Sequence, residues 1–175
     1  TAANNVVGAV DNAGGTLNLN AGALGSEAVI SKGTVIINGA VQVKGNNFDT
    51  TSDTDKVETL NVGASGILNM VNNAAGDNIQ VGAFAAESGS GISLDVNLSG
   101  VDTSSTTTEQ TLTTGFDKIT AKTTGGTIKL NAVNLIAVPG DGKMDVGDIA
   151  YMKVLDGTET SDAVFANNPV TVTSD

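Results

Sequence analysis

The chain contains no cysteine, no histidine, no arginine and no tryptophan. Without cysteine there are neither disulfides nor thiolate metal sites, a usage that suits a protein secreted without disulfide-forming help. Without histidine or cysteine, triads built on an imidazole base or a thiol nucleophile have no members. All 8 basic residues are lysines, so bidentate phosphate clamps are missing, and the formal net charge of −11 repels a polyanion. Both features argue against a nucleic-acid partner; an acidic surface of this kind confers solubility and holds cations loosely. No apolar run approaches the ~18–20 residues that cross a bilayer, so no membrane span is expected in this segment. The opening "TAANNVVGAV" lacks a basic region and a long apolar segment, and fits the start of a mature chain or of an excised fragment better than an intact signal peptide. Aromatics are scarce as well, at 3% of residues, which leaves Val, Ile, Leu and Ala to fill the core.

What is abundant points one way. The 175 residues form one domain, 1–175, long enough to bury a sizeable core. Thr, Val and Ile favour strands because branching at Cβ suits a pleated surface. The 22 glycines and the many asparagines favour tight corners, since both tolerate positive φ. Many short strands joined by turns make an all-β protein.

The apolar stretches recur loosely: "GGTLNLN", "GTVIIN", "ETLNV", "SGILNMVN", "GISLDVNL", "FDKITA", "GGTIKLNAV". Gly15, Gly33, Gly66, Gly91 and Gly126 each open such a unit. Period-two alternation, as in Leu17 and Leu19 or Ile128 and Leu130, marks strands with one face buried. Units recurring every ~20–30 residues indicate a solenoid whose coils stack on one another. Such a solenoid places Leu17, Leu19, Val35, Ile37, Leu60, Val62, Leu68, Met70, Leu94, Val96, Ile128 and Leu130 largely in two registers, with one of each alternating pair inward.

The units "GGTLNLNAGAL", "KGTVIINGAVQV" and "GASGILNM" resemble the right-handed parallel β-helix of bacterial autotransporter passengers, the pertactin-like and haemagglutinin-like surface proteins. "GFDKITAKTTGGTIKLNAVNLIAV" with the later "GDIAYMKVLDG" is similar to the late region of such passengers. The resemblance implies a passenger portion of a larger protein, secreted or held at the bacterial cell surface, without the translocating membrane barrel. An antiparallel β-sandwich is the alternative. Asn38-Gly39 between two apolar runs is a strong hairpin signal, and "ITAKTTGGTIKL" also reads as two arms around a turn.

Two segments break the rhythm. "VDTSSTTTEQTLTTG" (101–115) and "NNFDTTSDTDK" (46–56) are polar and read as loops projecting from the strands. Loops on a rigid scaffold are where binding surfaces tend to be placed. Catalytic chemistry finds little support in the residues. Ser31 and Lys32 are strand neighbours facing opposite ways. Asp53 and Asp55 share a face if their segment is extended, but lie in a polar loop, and Tyr151 with four Phe is a thin supply of sugar-stacking faces. No catalytic residue and no cofactor is assigned.

"GDGKMDVGDIAYMK" (140–153) resembles the second half of a dockerin-type calcium loop. With Gly142 as the central glycine, Asp141, Asp145 and Asp148 fall on ligand positions, but the first two side-chain ligands fall on Ala137 and Pro139. The competing reading is a turn at Pro139-Gly140-Asp141-Gly142, followed by a late strand "IAYMKVL", and it is preferred. The expected function is a non-enzymatic structural or adhesive module, a rigid β-rod whose loops meet a host or cell surface, in settings such as biofilm. A self-assembling extracellular fibre subunit, joined homotypically through "NVVGAV" and "NNPVTVT", is one alternative; an extracellular polysaccharide-acting enzyme is another.

Overall fold

The computed structural model describes residues 8–48, 52–99, 109–112, 114–136, 149–152, 155–161, 164–166 and 171–174. Among them the one helical element is the short 3-10 turn Gly45–Asn47; the rest of the regular structure is β. Strands β1 (Ala9–Asp11), β2 (Thr16–Leu19) and β3 (Gly22–Ala23) are followed in the same order by β4 (Val29–Ser31), β5 (Thr34–Ile37) and β6 (Ala40–Gln42). Each pairs in parallel with its counterpart: β1 with β4, β2 with β5, β3 with β6. In the next round β7 (Thr59–Val62) lies on β5 and β8 (Ile67–Asn69) on β6. Then β9 (Asn78–Ala86) lies on β7 and β10 (Gly91–Asn97) on β8.

Two parallel ladders therefore grow side by side. After β11 (Glu109–Leu112), the long β12 (Lys118–Ile136) pairs with β9 through its first half and with β10 through its second, joining both ladders into one sheet. Beyond it come β13 (Ile149–Met152), β14 (Leu155–Ser161), β15 (Val164–Ala166) and β16 (Thr171–Ser174). β14 extends the first ladder, β15 and β16 extend the second, and β11 pairs separately with β13. All pairing between these strands is parallel; the antiparallel contact among the described residues is an isolated bridge between Val96 and Phe116.

Two readings offered by the antiparallel alternative, and one expected loop, are corrected. Asn38-Gly39 closes no hairpin, because β5 and β6 belong to different ladders and pair with strands one round away. "ITAKTTGGTIKL" is not two antiparallel arms but runs unbroken through β12. Within the Ser/Thr tract, residues 109–112 are strand β11 rather than loop, since β13 supplies the ladder partners that a polar, Thr-containing segment can use.

The core follows from register. Leu17, Val35, Leu60 and Phe84 stand in line across the first ladder, as do Leu19, Ile37, Val62 and Ala86. In the second, Val41, Leu68, Ile92 and Leu130 align. Both members of each alternating pair face inward, not one: Val35 with Ile37, Leu60 with Val62, Leu68 with Met70 and Leu94 with Val96 are all buried. Residues two apart on a strand share a face, so the period-two pattern requires this. Burying each such side chain contributes about 1.5–3 kcal/mol. Leu130 is only half-buried beside the fully buried Ile128, and directly after it β12 carries an extra residue, Asn131, opposite the Ile92–Ser93 step.

Corners are made by close backbone approach. Gly33 has φ +57°, and a Cβ there would stand 2.2 Å from the carbonyl oxygen of Asn12; at Gly126, φ is +91° and the same atom would lie 1.8 Å from that of Ala86. Buried Asn47 ties the next corner, its amide donating to the carbonyls of Gly25 and Ala28 while its oxygen accepts from the Lys44 N–H.

Candidate functional site

The polar segment around residue 53 builds a surface cleft of about 380 Å³ against the first ladder. Its floor is apolar: Val57 and Val81 are buried. Gly82 lets the backbone of Glu58 approach, since a Cβ on it would lie 2.6 Å from the Glu58 carbonyl oxygen. The rim is charged, with Asp53 and Lys56 from the turn, Glu58 from the lead-in to β7 and Lys122 from β12. A smaller depression of about 210 Å³ continues from it, adding Gln80 and Thr120.

Lys56 Nζ donates to Asp53 Oδ1 at 2.7 Å. That bond, with the charges of Lys56 and Lys122 behind it, holds the Asp53 carboxyl below the usual carboxylate range. Asp55, two residues on, turns elsewhere: it accepts from the Ser52 hydroxyl and lies 3.7 Å from Lys32 Nζ. The turn thus separates the two carboxylates that an extended segment would have set on one face. Ser31 and Lys32 also diverge. The Ser31 hydroxyl donates to the Val10 carbonyl, while Lys32 Nζ lies 3.0 Å from Asp11. Hydrogen bonding to Asp11 raises the Lys32 pKa. The cleft offers donors and acceptors of both signs around an open, apolar floor, a surface suited to weak polar contact.

A second polar cluster, unforeseen from the sequence, is buried beside β10 and the start of β12. Asp95 on β10 and Asp117 just before β12 are fully buried, and Asp117 Oδ2 accepts from the Asp95 N–H at 2.7 Å. Asp117 Oδ1 accepts from the N–H groups of Gly76 and Asp77, both at 3.0 Å. Asp95 Oδ2 accepts from those of Asn72 (2.7 Å) and Ala74 (3.2 Å), and its Oδ1 from the Asn134 amide at 2.7 Å. Two carboxylates thus clip four backbone amides of one loop, 72–77, to the strands beneath. Burial pushes the Asp117 carboxyl up to about 7, against the opposing pull of its three backbone donors and with a further rise from the charge of Asp95. Asn72 donates to Asp77 Oδ2 at 2.6 Å, while its own buried Oδ1 has no hydrogen-bond partner among the described residues. The signal available in the sequence was the lone acid in each of two apolar units, "GISLDVNL" and "GFDKITA".

Among the described residues no group of three or more acidic side chains is arranged to hold a metal ion. Asp141, Asp145 and Asp148 lie outside the described residues. The segment directly after Asp148, Ile149–Met152, is strand β13. Also among the described residues, no helix is long and apolar enough to cross a membrane. Comparison with family models, with curated proteins and with solved structures finds no match to this chain.

Proposed function

We propose that the chain is a right-handed parallel β-helix serving as a non-enzymatic structural module of a secreted or surface-held bacterial protein. In this reading it is a passenger-type rod that presents loops for adhesion to cells or surfaces. The observation that supports it most directly is the pairing order, in which successive strands stack in parallel on their counterparts one round earlier. Stacked rounds share backbone hydrogen bonds and a continuous inward column of Val, Leu, Ile and Phe, which makes a stiff element along the stack. Contact then falls to the projecting loops, and the cleft at Asp53, Lys56, Glu58 and Lys122 supplies polar groups of both signs.

A fibre subunit is the second reading. It is favoured by the first round, where β2 and β3 have a strand partner on one side only among the described residues, leaving backbone groups for another strand. An adhesion assay on the immobilised chain, read beside light scattering, tests both. Retention of cells that drops in a Lys56→Ala/Lys122→Ala variant with an unchanged melting curve supports the rod with a contact loop. Concentration-dependent filaments move the weight to the fibre. Depolymerisation of a polysaccharide by the pure chain refutes the non-enzymatic reading.

A further inference from the structure

We propose that Asn38 is a site of spontaneous chemical modification, a backbone-assisted deamidation built into the corner between the two ladders. It is independent of the functional reading above. Asn38-Gly39 is the chain's single Asn-Gly pair, and it stands between β5 of the first ladder and β6 of the second. Its glycine is demanded by the fold. A Cβ at position 39 would lie 1.8 Å from the carbonyl oxygen of Asn20, so a bulkier residue that would hinder the reaction is sterically excluded.

The reacting groups are accessible. Asn38 is exposed, and Gly39's own N–H has no hydrogen-bond acceptor among the described residues, although the flanking Asn38 N–H and Gly39 carbonyl are both engaged. The Gly39 nitrogen, on losing its proton to solvent base, forms a bond to Asn38 Cγ. The Cγ–Nδ2 bond breaks, and the amide nitrogen leaves as ammonia with a proton from water. The resulting five-membered imide takes up water at either carbonyl, giving aspartate or isoaspartate at position 38 with no change of oxidation state.

The surroundings treat the two products differently. The Asn38 amide now donates to the Oδ1 atoms of Asn18 and Asn20, each at 3.2 Å. Both neighbours are exposed and can turn their own NH2 groups toward a new carboxylate, so aspartate is accommodated with charge-assisted bonds. Isoaspartate lengthens the main chain by one atom. The registers on either side are set, with Ile37 opposite Val62 and Ala40 opposite Ile67, so the added atom must be absorbed within the corner. An exposed corner thus acquires either a negative charge or a local distortion with age.

The test is to hold the folded chain at mildly alkaline pH and cleave it after lysine, which releases Gly33–Lys44 as one peptide between Lys32 and Lys44. Mass spectrometry then follows the gain that replacement of NH2 by OH brings, and isoaspartyl methyltransferase labels the isoaspartate fraction. Expected is conversion at Asn38 far ahead of the exposed Asn46 and Asn73, abolished in the folded variant Asn38→Ser. Retention of the amide at Asn38 in the folded chain, while the urea-unfolded chain converts, overturns the proposal. So does conversion at Asn46 or Asn73 at the same rate.

Discussion

Acidification above pH 4.5 should stabilise this protein, and one buried carboxyl is the reason. Asp117 is fully buried, and its pKa is raised from 3.8 to about 7. A carboxyl that titrates higher in the folded state than in the unfolded one means that the folded protein binds more protons between those two values. Stability then falls as pH climbs through the window from about 4 to about 7 and levels off above it. At 1.36 kcal/mol per pH unit of difference, the effect approaches about 4 kcal/mol across the whole window. Asp11 and Asp53 work in the opposite sense, since lysine partners lower their pKa values, but their contribution is lost only below the unfolded value of 3.8. Urea unfolding at pH 4.5, 6 and 8 therefore spans the Asp117 window, provided the urea slope stays constant so that midpoints report stability. Growing negative charge also loosens a chain of net charge −11 as pH rises, and Asp117→Asn separates the two effects. That variant places an NH2 group against the Asp95 N–H and lowers stability by about 1–3 kcal/mol, yet its stability should depend far less on pH. A midpoint that is flat or rises from pH 4.5 to 8, or an Asp117→Asn chain with the wild-type slope, refutes the reasoning.

Other perturbations test other parts of the molecule. Leu60→Ala opens a void in the inward column between Val35 and Phe84 and should cost about 2–5 kcal/mol by urea unfolding. A loss under 1 kcal/mol would mean that the column is not close-packed. Gly126→Ala forces a Cβ to 1.8 Å from the Ala86 carbonyl at φ +91°, and should destabilise by at least about 1–3 kcal/mol, read as a lower melting temperature by circular dichroism. Lys56→Ala breaks the pair with the exposed Asp53 and should leave the melting temperature unmoved in low and high salt alike. Calorimetry with calcium should give no saturable heat in the ~10⁻⁷–10⁻⁵ M range of sensor loops. Micromolar binding abolished by Asp145→Ala would show that Ala137 and Pro139, which occupy two of the ligand positions, are no obstacle.

Strand content, corner chemistry and the alternation that marks a buried face were legible in the sequence because each is a local property. Branched side chains at alternate positions, as in Val35 and Ile37, suit one buried face of a pleat whatever that face packs against. Gly33 and Gly126 mark places where the backbone must pass another chain segment closely. Pairing is not local. Asn38-Gly39 is compatible with a hairpin and with a corner, and what decides between them is that β5 finds β2 and β7, and β6 finds β3 and β8, across a round of chain. The same holds for polar groups. Asp53 and Asp55 look like neighbours, and the turn at 52–56 sends them to Lys56 and Lys32. Asp95 and Asp117 look unrelated, and stacking brings both beneath the amides of residues 72–77. A side chain's direction relative to its own backbone is written in sequence spacing, whereas its partners are chosen by which distant backbone the ladder hydrogen bonds lay alongside it.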